Sequence, residues 1–590
     1  PGQIDASGTK GGRGGNIVAT ARTVEVAGTA RLDVSGSHGG LALLGGDFQG
    51  GADPERNYWS APLATAETLL VEAGAEIRAD GTAGAGGNVV VWSDGHTNFA
   101  GAISATGVTA GGDAEVSGKA LLDYAGTADL RGSEGDWGTL LLDPYNLTIS
   151  NDPSSGISGG FDANANNSIL NVTTLKNALA SANVTVTTGA SGSQEGDITV
   201  SAPISWASGS SLTLRAAGDI AINAGISAPS GGLALQAGTG STITTSAAGT
   251  IDVGTFTLLS GNWRQEGALP AFHAGDFRLE GGSFLRVTGG DGSAATPYLV
   301  GDVYGLQGIG SSTSLIASHW GLANDIDASG TSGWNDGHGF MPVGTSTKPF
   351  AGSFDGRGHV ISGLAIDRSS TDYVGLFGAA QNATIRNVGL EKADVKGKGA
   401  VGALVGYAGS SNISQVYATG AVTGADYVGG LVGNQTGGSI SHAYATGDVT
   451  GTDFVGGLVG YQANGSITQA YATGAVTGAT YVGGLVGYQV NGSIIQAYAT
   501  GNVTGTATYV GGLVGYQYDG SISQAYATGT VSGNISVGGL VGFQYFGSIN
   551  QAYATGEVTG TDNVGGLVGY QYFGTITHAY AAGDVTGASY

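Results

Sequence analysis

The sequence lacks cysteine altogether, which excludes disulfide bonds, thiol catalysis and cysteine-ligated metals. Methionine occurs once, proline 11 times in 590 residues, and charged residues make up only 11%. Basic residues end at Lys398, and the formal net charge of −24 argues against nucleic acid or an anionic membrane surface as a partner. Glycine interrupts every apolar stretch well short of the ~18 residues that a membrane span needs, so we predict no membrane-spanning segment.

Glycine is abundant instead, with 113 residues, and the last third of the sequence is a repeat. The motif Gly-(Gly/Ala)-Leu-Val-Gly recurs, and each copy is followed by Tyr-Ala-(Thr/Ala)-Gly. Both motifs advance by 27 residues, with one step of 28. The motif leucines are Leu404, Leu431, Leu458, Leu485, Leu513, Leu540 and Leu567, and the tyrosines are Tyr417, Tyr444, Tyr471, Tyr498, Tyr526, Tyr553 and Tyr580. A fixed period of this length indicates a solenoid or a propeller.

Each repeat contains three short stretches that suit β-strands, separated by glycine or small polar residues. A propeller blade needs four strands and about 40 or more residues, so the repeat is too short for a blade. One coil of a parallel β-helix fits, because each residue then lies about 4.8 Å above its equivalent in the coil below. We therefore predict an all-β chain folded as a right-handed parallel β-helix, with about 27 residues per coil in the repeats.

Stacked coils would arrange equivalent residues in ladders along the axis. The repeat tyrosines could stack, which is worth about 0.5–1.5 kcal/mol per pair, and six glutamines could form a ladder of side-chain amides. The glutamines are Gln435, Gln462, Gln489, Gln517, Gln544 and Gln571. Strict alternation would place Ile494 and Gln496 on the same face as Tyr498, and the sequence leaves open whether that face is inside.

The sequence divides into four predicted segments. Residues 1–150 form an irregular β-helix segment, and 151–260 continue it with one short helix near 173–182, where alanine and leucine recur at helical spacing. Residues 261–350 are the least repetitive and are predicted as loops or an insertion on the solenoid. Residues 351–590 form the repeat array. Both ends fall inside such patterns, so we expect a fragment of a longer chain.

Two sets of motifs resemble known families. The Gly-Gly-Leu-Val-Gly repeats resemble the GLUG repeat of bacterial surface proteins, and their approach through Phe354-Asp-Gly-Arg-Gly-His359 and Tyr373-Val-Gly-Leu-Phe-Gly378 is similar to the usual start of that array. Upstream, Val89-Val-Val-Trp-Ser-Asp94, Glu115-Val-Ser-Gly-Lys119 and Leu140-Leu-Leu-Asp-Pro144 resemble filamentous-haemagglutinin-type exoproteins.

The resemblance implies export by the two-partner route, through an outer-membrane transporter partner, and display at the surface of a Gram-negative bacterium as an adhesin or filament. The amino-terminal secretion domain typical of that family is not in the sequence, in keeping with a fragment. GLUG repeats also occur beside proteases, so the repeat alone leaves an attached enzyme open.

Catalytic motifs are weak. None of the eight histidines is followed by glutamate, so the metalloprotease motif His-Glu-x-x-His is missing. Gly156-Ile-Ser-Gly-Gly160 matches Gly-x-Ser-x-Gly, but coincidence is the better interpretation in a chain so rich in glycine and serine. Asp426 and Asp453 could provide paired acids for glycoside hydrolysis if neighbouring coils formed a groove, although they fall at corners where solubility explains them. We predict a protein without catalytic residues.

A calcium ion is the one cofactor that the sequence leaves open. Asp325, Asp327 and Asp336 offer carboxylate oxygens, which are ligands that Ca²⁺ prefers, within a short stretch of chain. Their spacing matches no known calcium loop, so a solvated turn is the competing interpretation.

Aromatic residues beside glutamines are the main candidate binding surface, because ring faces pack on sugar C–H groups while amides bond sugar hydroxyls. A ladder that only closes the coil corners, or that contacts another protomer, is the alternative. The candidates are Tyr461, Gln462, Tyr488, Gln489, Tyr516, Gln517, Tyr518, Gln544, Tyr545, Phe546, Gln571, Tyr572 and Phe573.

The predicted function is non-catalytic attachment or surface assembly, outside the cell, through many weak repeated contacts with surface glycans or receptors, together with self-association into filaments. A polysaccharide-binding or polysaccharide-cleaving β-helix enzyme is one alternative. The stalk of a contact-dependent toxin is the other.

Overall fold

The computed structural model describes residues 2–52, 57–143, 146–152, 168–188 and 196–588. Strands make up 53% and helices 5% of the structure, and successive coils pair in parallel as a β-solenoid with about 27 residues per turn. This confirms the predicted fold class. The chain divides into two compact units, Pro1–Ser283 and Phe284–Tyr590, which are described separately.

The first unit stacks irregular coils whose strands form four sheets. The first sheet comprises Gln3–Asp5, Arg31–Asp33, Glu76–Arg78, Ala102–Ser104 and Thr127–Asp129. The second comprises Asn16–Ala19, Leu41–Leu44, Asn88–Ser93, Ala114–Gly118, Thr139–Asp143, Asn183–Thr187, Ile204–Ser205, Ser211–Arg215, Ile226–Gln236, Ile251–Ser260 and Phe272–Leu279. The third comprises Thr23–Val26, Thr68–Val71, His96–Phe99 and Leu121–Tyr124. The fourth includes Leu147–Ser150, Ser168–Asn171, Ile198–Val200, Ile220–Ile222, Thr242–Thr245 and Asn262–Glu266.

Helices are few and short. The first unit has an α-helix at Val172–Leu179, which overlaps the helix predicted near 173–182, and 3₁₀ turns at Thr9–Gly11 and Phe48–Gly51. The second unit has α-helices at Val303–Gly308 and Thr313–Ile316 and a 3₁₀ helix at Ser329–Gly333. Within the described ranges, no helix combines the length and the apolarity needed to cross a membrane.

The segment predicted as loops, 261–350, differs in part from that prediction. Phe272–Leu279 pairs in parallel register with Ile251–Ser260, so the regular coils of the first unit continue into this segment. Its aromatic residues are core residues, since Trp263 and Phe277 are 0–1% exposed. The less regular part begins after Ser283–Val287 and contains the two short α-helices of the second unit.

The second unit, which contains the repeat array, has three sheets: the tyrosine sheet, the glutamine sheet and the short sheet. The tyrosine sheet comprises Tyr298–Val300, His319–Leu322, Ile326–Asp327, Ser353–Asp355, Val360–Ser362, Ala365–Asp367, Thr384–Lys396, Asn412–Thr423, Ser439–Ala445, Val449–Thr450, Ser466–Ala472, Val476–Gly478, Ser493–Ile495, Tyr498–Ala499, Val503–Gly505, Ser521–Ala527, Val531–Ser532, Ser548–Ala554, Val558–Thr559, Thr575–Thr577, Tyr580–Ala581 and Val585–Thr586. The glutamine sheet comprises Phe377–Gln381, Val405–Gly409, Val432–Thr436, Val459–Ala463, Val486–Val490, Val514–Tyr518, Val541–Tyr545 and Val568–Tyr572. The short sheet comprises Gly399–Gly402, Asp426–Gly429, Asp453–Gly456, Thr480–Gly483, Thr508–Gly511, Ile535–Gly538 and Asp562–Gly565.

Each coil turns its corners with residues in the left-handed backbone region. In one coil these are Tyr481 (φ 56°), Asn491 (φ 50°) and Gln496 (φ 54°), and equivalent residues recur along the array. At Gln496 this conformation breaks the alternation, so Ile494 and Ala497 point inward while Gln496 and Tyr498 point outward. The strict alternation considered from the sequence is therefore wrong at this corner.

The interior is so narrow that main chain meets main chain at the repeat glycines. A Cβ atom on Gly484 would lie 2.1 Å from the carbonyl oxygen of Gly512 in the next coil. One on Gly483 would lie 2.0 Å from the carbonyl oxygen of Val486. The space that remains is filled by fully buried side chains such as Leu485. The glycines of Gly-Gly-Leu-Val-Gly are thus required by close approach.

In the first unit, residues 45–52 and 57–66 lie over the outer face of the second sheet. Leu43, Val90 and Trp92 form a buried cluster there, against which Tyr58 and Trp59 pack. A second layer on this face explains why Val89-Val-Val-Trp92 is buried on both sides. The same layer buries a carboxyl group, because Glu115 is 2% exposed and accepts a 2.9 Å hydrogen bond from the main-chain nitrogen of Gln49.

We expect Gly484→Ala to destabilise the array, because its new methyl group meets main chain that cannot move without shifting the neighbouring coil. Overpacking of this kind costs about 1–3 kcal/mol. The control is Gly330→Ala, since a Cβ at Gly330 meets nothing within 4 Å. Thermal unfolding should show a lower midpoint for the first variant alone. Equal midpoints would contradict the close approach.

Burial raises the pKa of Glu115 to about 8, with Asp143 and Asp47 adding repulsion. An acid whose pKa is raised by folding stabilises the fold below its ordinary value of 4.5 and loses that contribution as the pH rises towards 8. We therefore expect the first unit to be less stable at pH 8 than at pH 5, by on the order of 1–4 kcal/mol. Urea unfolding of Glu115→Gln, which keeps the shape but cannot ionise, should lose most of this difference. An unchanged pH dependence would assign it to other groups.

Candidate functional site: the aromatic and amide rows of the repeat array

The structure separates the predicted glutamines from the predicted aromatic residues. Tyr488 and Gln489 are consecutive in the strand Val486–Val490, so their side chains point to opposite faces, the ring outward and the amide inward. The buried glutamine row is at most 1% exposed and consists of Gln435, Gln462, Gln489, Gln517 and Gln544. These amides cannot reach a ligand at the surface, so their proposed contacts with a glycan are wrong. Gln571, in the last described coil, is exposed.

Four of the five buried glutamines, all except Gln544, bond to main chain at the coil corners. Gln462 Nε2 donates to the carbonyl oxygens of Gly465, at 3.1 Å, and Ser493 in the next coil, at 3.3 Å. Gln517 repeats this pattern with Gly520, at 3.0 Å. The amides are stacked in register, but among the described residues their Oε1 atoms have no hydrogen-bond partner. In these four coils the amide nitrogen ties the corner to the following coil, in place of the predicted amide-to-amide ladder.

The outward rings of the glutamine sheet form a stacked row. Tyr461, Tyr488, Tyr516, Phe543 and Tyr570 stack with centroids 4.8–5.5 Å apart. A second row, which the sequence analysis missed, lies beside it on the short sheet. It consists of Tyr427, Phe454, Tyr481 and Tyr509. Rings of the two rows meet edge to face, at 5.2–6.0 Å and 72–87°.

The aromatic row on the short sheet has a strained backbone conformation. Tyr427, Phe454, Tyr481 and Tyr509 have φ between 54° and 62°, where a bulky residue costs roughly 1–2 kcal/mol. The next two copies have Ser536 and Asn563 instead, without a ring. Ring contacts worth about 0.5–1.5 kcal/mol each offset this strain where rings are present on both sheets. The two rows therefore form an aromatic zipper that closes the corner between the sheets.

Five of the predicted aromatic residues come together near the end of the array, as the end patch Tyr518, Tyr545, Phe546, Tyr572 and Phe573. Tyr518, Tyr545 and Tyr572 stack at 5.2 Å, and Phe546 stacks on Phe573 at 5.4 Å. Phe546 is 44% exposed and Phe573 71%. This patch is the most exposed group of rings among the residues that the sequence singled out.

The repeat tyrosines stack on the outer face of the tyrosine sheet, as predicted. The outer tyrosine row runs from Tyr417 to Tyr580, with centroids 4.8–5.2 Å apart and ring planes within 2–8° of parallel. For Tyr471 and Tyr526, burial and then the neighbouring rings raise the pKa of the hydroxyl group. These hydroxyls therefore remain protonated and can donate hydrogen bonds at neutral pH.

An exposed row of amides stands beside these tyrosines, and the sequence analysis did not select it. The outer glutamine row consists of Gln415, Gln469, Gln496, Gln524 and Gln551, with His442 and His578 at the equivalent positions of two coils. Each lies two residues before a repeat tyrosine and is exposed. The signal was present in the sequence as Gln-x-Tyr at the repeat period. In this arrangement an aromatic row lies beside exposed amides. The binding residues predicted from the sequence do not combine the two in this way.

Stacking limits what the tyrosine rows can bind. Inside a row both faces of each ring are covered by neighbouring rings, so the surface presents ring edges and hydroxyl groups. With the outer glutamine row, the tyrosine sheet displays a regular array of hydrogen-bond donors and acceptors. No lysine or arginine follows Lys398, so this surface suits neutral, hydroxyl-rich partners better than anionic ones.

The three calcium candidates are not gathered into a site. Asp325 Oδ1 accepts hydrogen bonds from His359 Nδ1 and from the nitrogen of Val360, each at 3.0 Å. Asp327 Oδ1 accepts from the nitrogen of Ser329 at 2.9 Å, which forms a local turn. In the described part of the chain, Asp336 joins no group of three or more metal-binding side chains. The solvated-turn interpretation agrees with this geometry, and the calcium prediction does not.

The acid pair and the serine motif gain no support as catalytic groups. Asp426 and Asp453 lie on adjacent rungs of the short sheet, where the next rung is Thr480. They are thus part of a stacked row rather than opposite walls of a groove. Residues 156–160 lie outside the described residues.

A known sequence motif matches the repeat array. The GLUG motif matches residues 424–450, 455–477, 478–504, 506–532, 533–559 and 560–586. Halomucin of Haloquadratum walsbyi is 41% identical over 153 residues, which are 25% of this chain and 2% of halomucin. A protein of Evansella cellulosilytica, named as a Gly-rich membrane protein, is 37% identical over 134 residues, which are 21% of this chain and 15% of that protein. The chain thus spans a small part of either relative.

Among solved structures, one from Bacteroides ovatus, named as an immunoglobulin A1 protease, is 21% identical with a TM-score of 0.26. The match covers 52% of this chain and 77% of that structure.

Proposed function

We propose that this protein is a repeat-rich surface protein that attaches to neutral, hydroxyl-rich glycans through the tyrosine sheet of its array. The observation that carries the proposal is the pairing of the outer glutamine row with the outer tyrosine row, repeated every 4.8–5.2 Å. Amides and phenolic hydroxyls at that spacing can bond successive units of one polymer. Each contact is weak, and affinity arises because neighbouring contacts on one chain act at high effective concentration.

The surface location rests on the relatives and on the resemblance of the motifs. One relative is named halomucin and the other a Gly-rich membrane protein, and these names support a location at the cell surface. We propose further, on the haemagglutinin-like motifs of the first unit, an adhesin or filament exported through an outer-membrane transporter partner of a Gram-negative cell. Surface labelling of the natural full-length protein in cells with and without the transporter would test this. Equal display in both would exclude the two-partner route.

We propose a non-catalytic role, because Asp426 and Asp453 lie in one stacked row and do not face each other across a groove. The polysaccharide-cleaving alternative makes a different prediction. If the array cleaved its ligand, soluble sugars would accumulate during incubation. The binding experiment should therefore include analysis of the eluate for released sugars, whose appearance would replace attachment by catalysis as the function.

The test of glycan attachment is retention on immobilised neutral polysaccharides and on a sulfated one. We expect the triple variant Gln469→Ala, Gln496→Ala and Gln524→Ala to lose roughly tenfold or more of its retention on a neutral polymer, because three consecutive rungs lose their amides. Retention on the sulfated polymer should be weak for every form, since the array carries no basic residue after Lys398.

Two controls separate this effect from a general loss of structure. The triple variant Thr450→Ala, Thr477→Ala and Thr504→Ala changes exposed residues of the same sheet away from the tyrosine row. Gln489→Met changes a buried amide that cannot reach a ligand. Both controls should be retained as well as the parent protein. Equal retention of the outer glutamine variant, or its loss in the controls as well, would contradict the proposed surface.

A further inference from the structure

Tyrosine is the main oxidisable side chain of the repeat array. The sequence has no cysteine, its one methionine is Met341, and its last tryptophan is Trp334, so all three residue types are missing from 351–590. Cysteine and methionine are the side chains that oxidants commonly attack first. A one-electron oxidant that meets the array therefore reacts with a tyrosine.

Exposure distinguishes one tyrosine from the others. Among the described tyrosines of the array, Tyr518 is exposed, at 40%, and lies outside the last described coil. Three further exposed tyrosines, Tyr570, Tyr572 and Tyr580, belong to that last coil. The remaining described tyrosines of the array are half-buried. An oxidant in solution therefore reaches Tyr518 more easily than any tyrosine of the preceding coils.

Tyr518 begins a row of three tyrosines in consecutive coils. It is in register with Val490 of the preceding coil and with Tyr545 of the following one. The rings of Tyr518 and Tyr545 stack with centroids 5.2 Å apart and planes 13° from parallel. Tyr545 stacks in turn on Tyr572, at 5.2 Å and 11°. We call Tyr518, Tyr545 and Tyr572 the corner tyrosine row.

The aromatic zipper is less suited to a reaction between neighbouring tyrosines. Tyr488 and Tyr516 stack at 4.8 Å, but both also meet rings of the short sheet edge to face. These contacts oppose the rotation that a new bond between the two rings requires. Burial raises the pKa of Tyr516 to about 12, so its hydroxyl group releases a proton less readily.

We propose that the corner tyrosine row is a site of oxidative cross-linking, at which Tyr545 forms a dityrosine bond with Tyr518 or with Tyr572. The co-reactant is a one-electron oxidant of the peroxidase class that uses hydrogen peroxide. Reaction within one chain is favoured over reaction between copies, because a partner held at 5.2 Å has a high effective concentration.

The reaction balances as follows. Each of two tyrosines loses one electron and its hydroxyl proton, and the two radicals join through a bond between their Cε carbons. The hydrogen on each bonded carbon then moves as a proton to the ring oxygen, which restores both hydroxyl groups. Hydrogen peroxide takes up the two electrons and the two protons and becomes two molecules of water.

Such a bond would join neighbouring coils covalently in a chain that cannot form disulfides. A cross-link between residues one repeat apart restricts the unfolded chain, as a disulfide does, and so stabilises the folded array. This role is independent of the proposed glycan attachment, because the corner tyrosine row lies on the glutamine sheet and the proposed glycan surface lies on the tyrosine sheet.

The test treats the full chain, at low protein concentration, with a peroxidase and limiting hydrogen peroxide. Digestion with pepsin is needed because no lysine or arginine follows Lys398, and mass spectrometry then identifies linked peptides that lack two hydrogen atoms. We expect links between Tyr518 and Tyr545 and between Tyr545 and Tyr572. Tyr545→Phe keeps the ring but not the hydroxyl group, so it should lose both links. Tyr518→Phe should lose only the first.

Tyr526→Phe is the matched control, since it removes one hydroxyl group from the outer tyrosine row and should keep both links. The treated parent should also unfold at a higher urea concentration than treated Tyr545→Phe, whereas the two should match before treatment. A parent without dityrosine, or links that survive in Tyr545→Phe, would overturn the proposed site. Covalent dimers as the main product would mean reaction between copies. Equal unfolding after treatment would remove the stabilising role.

Discussion

Parallel in-register stacking of narrow coils is the constraint on which the rest of the array depends. Main chain comes so close to main chain that Gly483 and Gly484 have no room for a side chain. Every other feature must then repeat at the strand spacing, because a coil contacts mainly the coils above and below it. Each residue therefore lies next to the equivalent residues of the neighbouring coils. Ladders of like side chains result from this geometry.

Stacking explains why the aromatic rows are chiefly structural. A ring that is sandwiched between two rings has no free face, so a sugar cannot stack on Tyr471 or Tyr498 in the middle of the outer tyrosine row. Binding by ring faces is confined to places where a row stops. Binding along the row must use hydroxyls and amides instead.

Repeat period, fold class and the tyrosine ladder could be predicted from the sequence because they depend only on which residues recur. The direction of each side chain could not be predicted by alternation alone, because Gln496 adopts a left-handed conformation that shifts the phase by one residue. For Gln489 the alternation rule places it and Tyr488 on opposite faces, but the rule does not decide which of the two faces is inside. The calcium candidates failed for a different reason, since closeness in sequence did not bring Asp325 and Asp336 into one site.

Strain distinguishes the aromatic zipper from the other rows. Tyr481 and its equivalents adopt a left-handed backbone conformation, which is less strained for asparagine than for an aromatic residue. One repeat has asparagine at this position, Asn563. Tyr427, Phe454, Tyr481 and Tyr509 make edge-to-face contacts with rings of the glutamine sheet, so ring contacts and backbone strain oppose each other in these coils. Removing one ring would relieve its own strain but would also leave its neighbours without an edge-to-face partner. The cost of such a change therefore falls on adjacent coils as well.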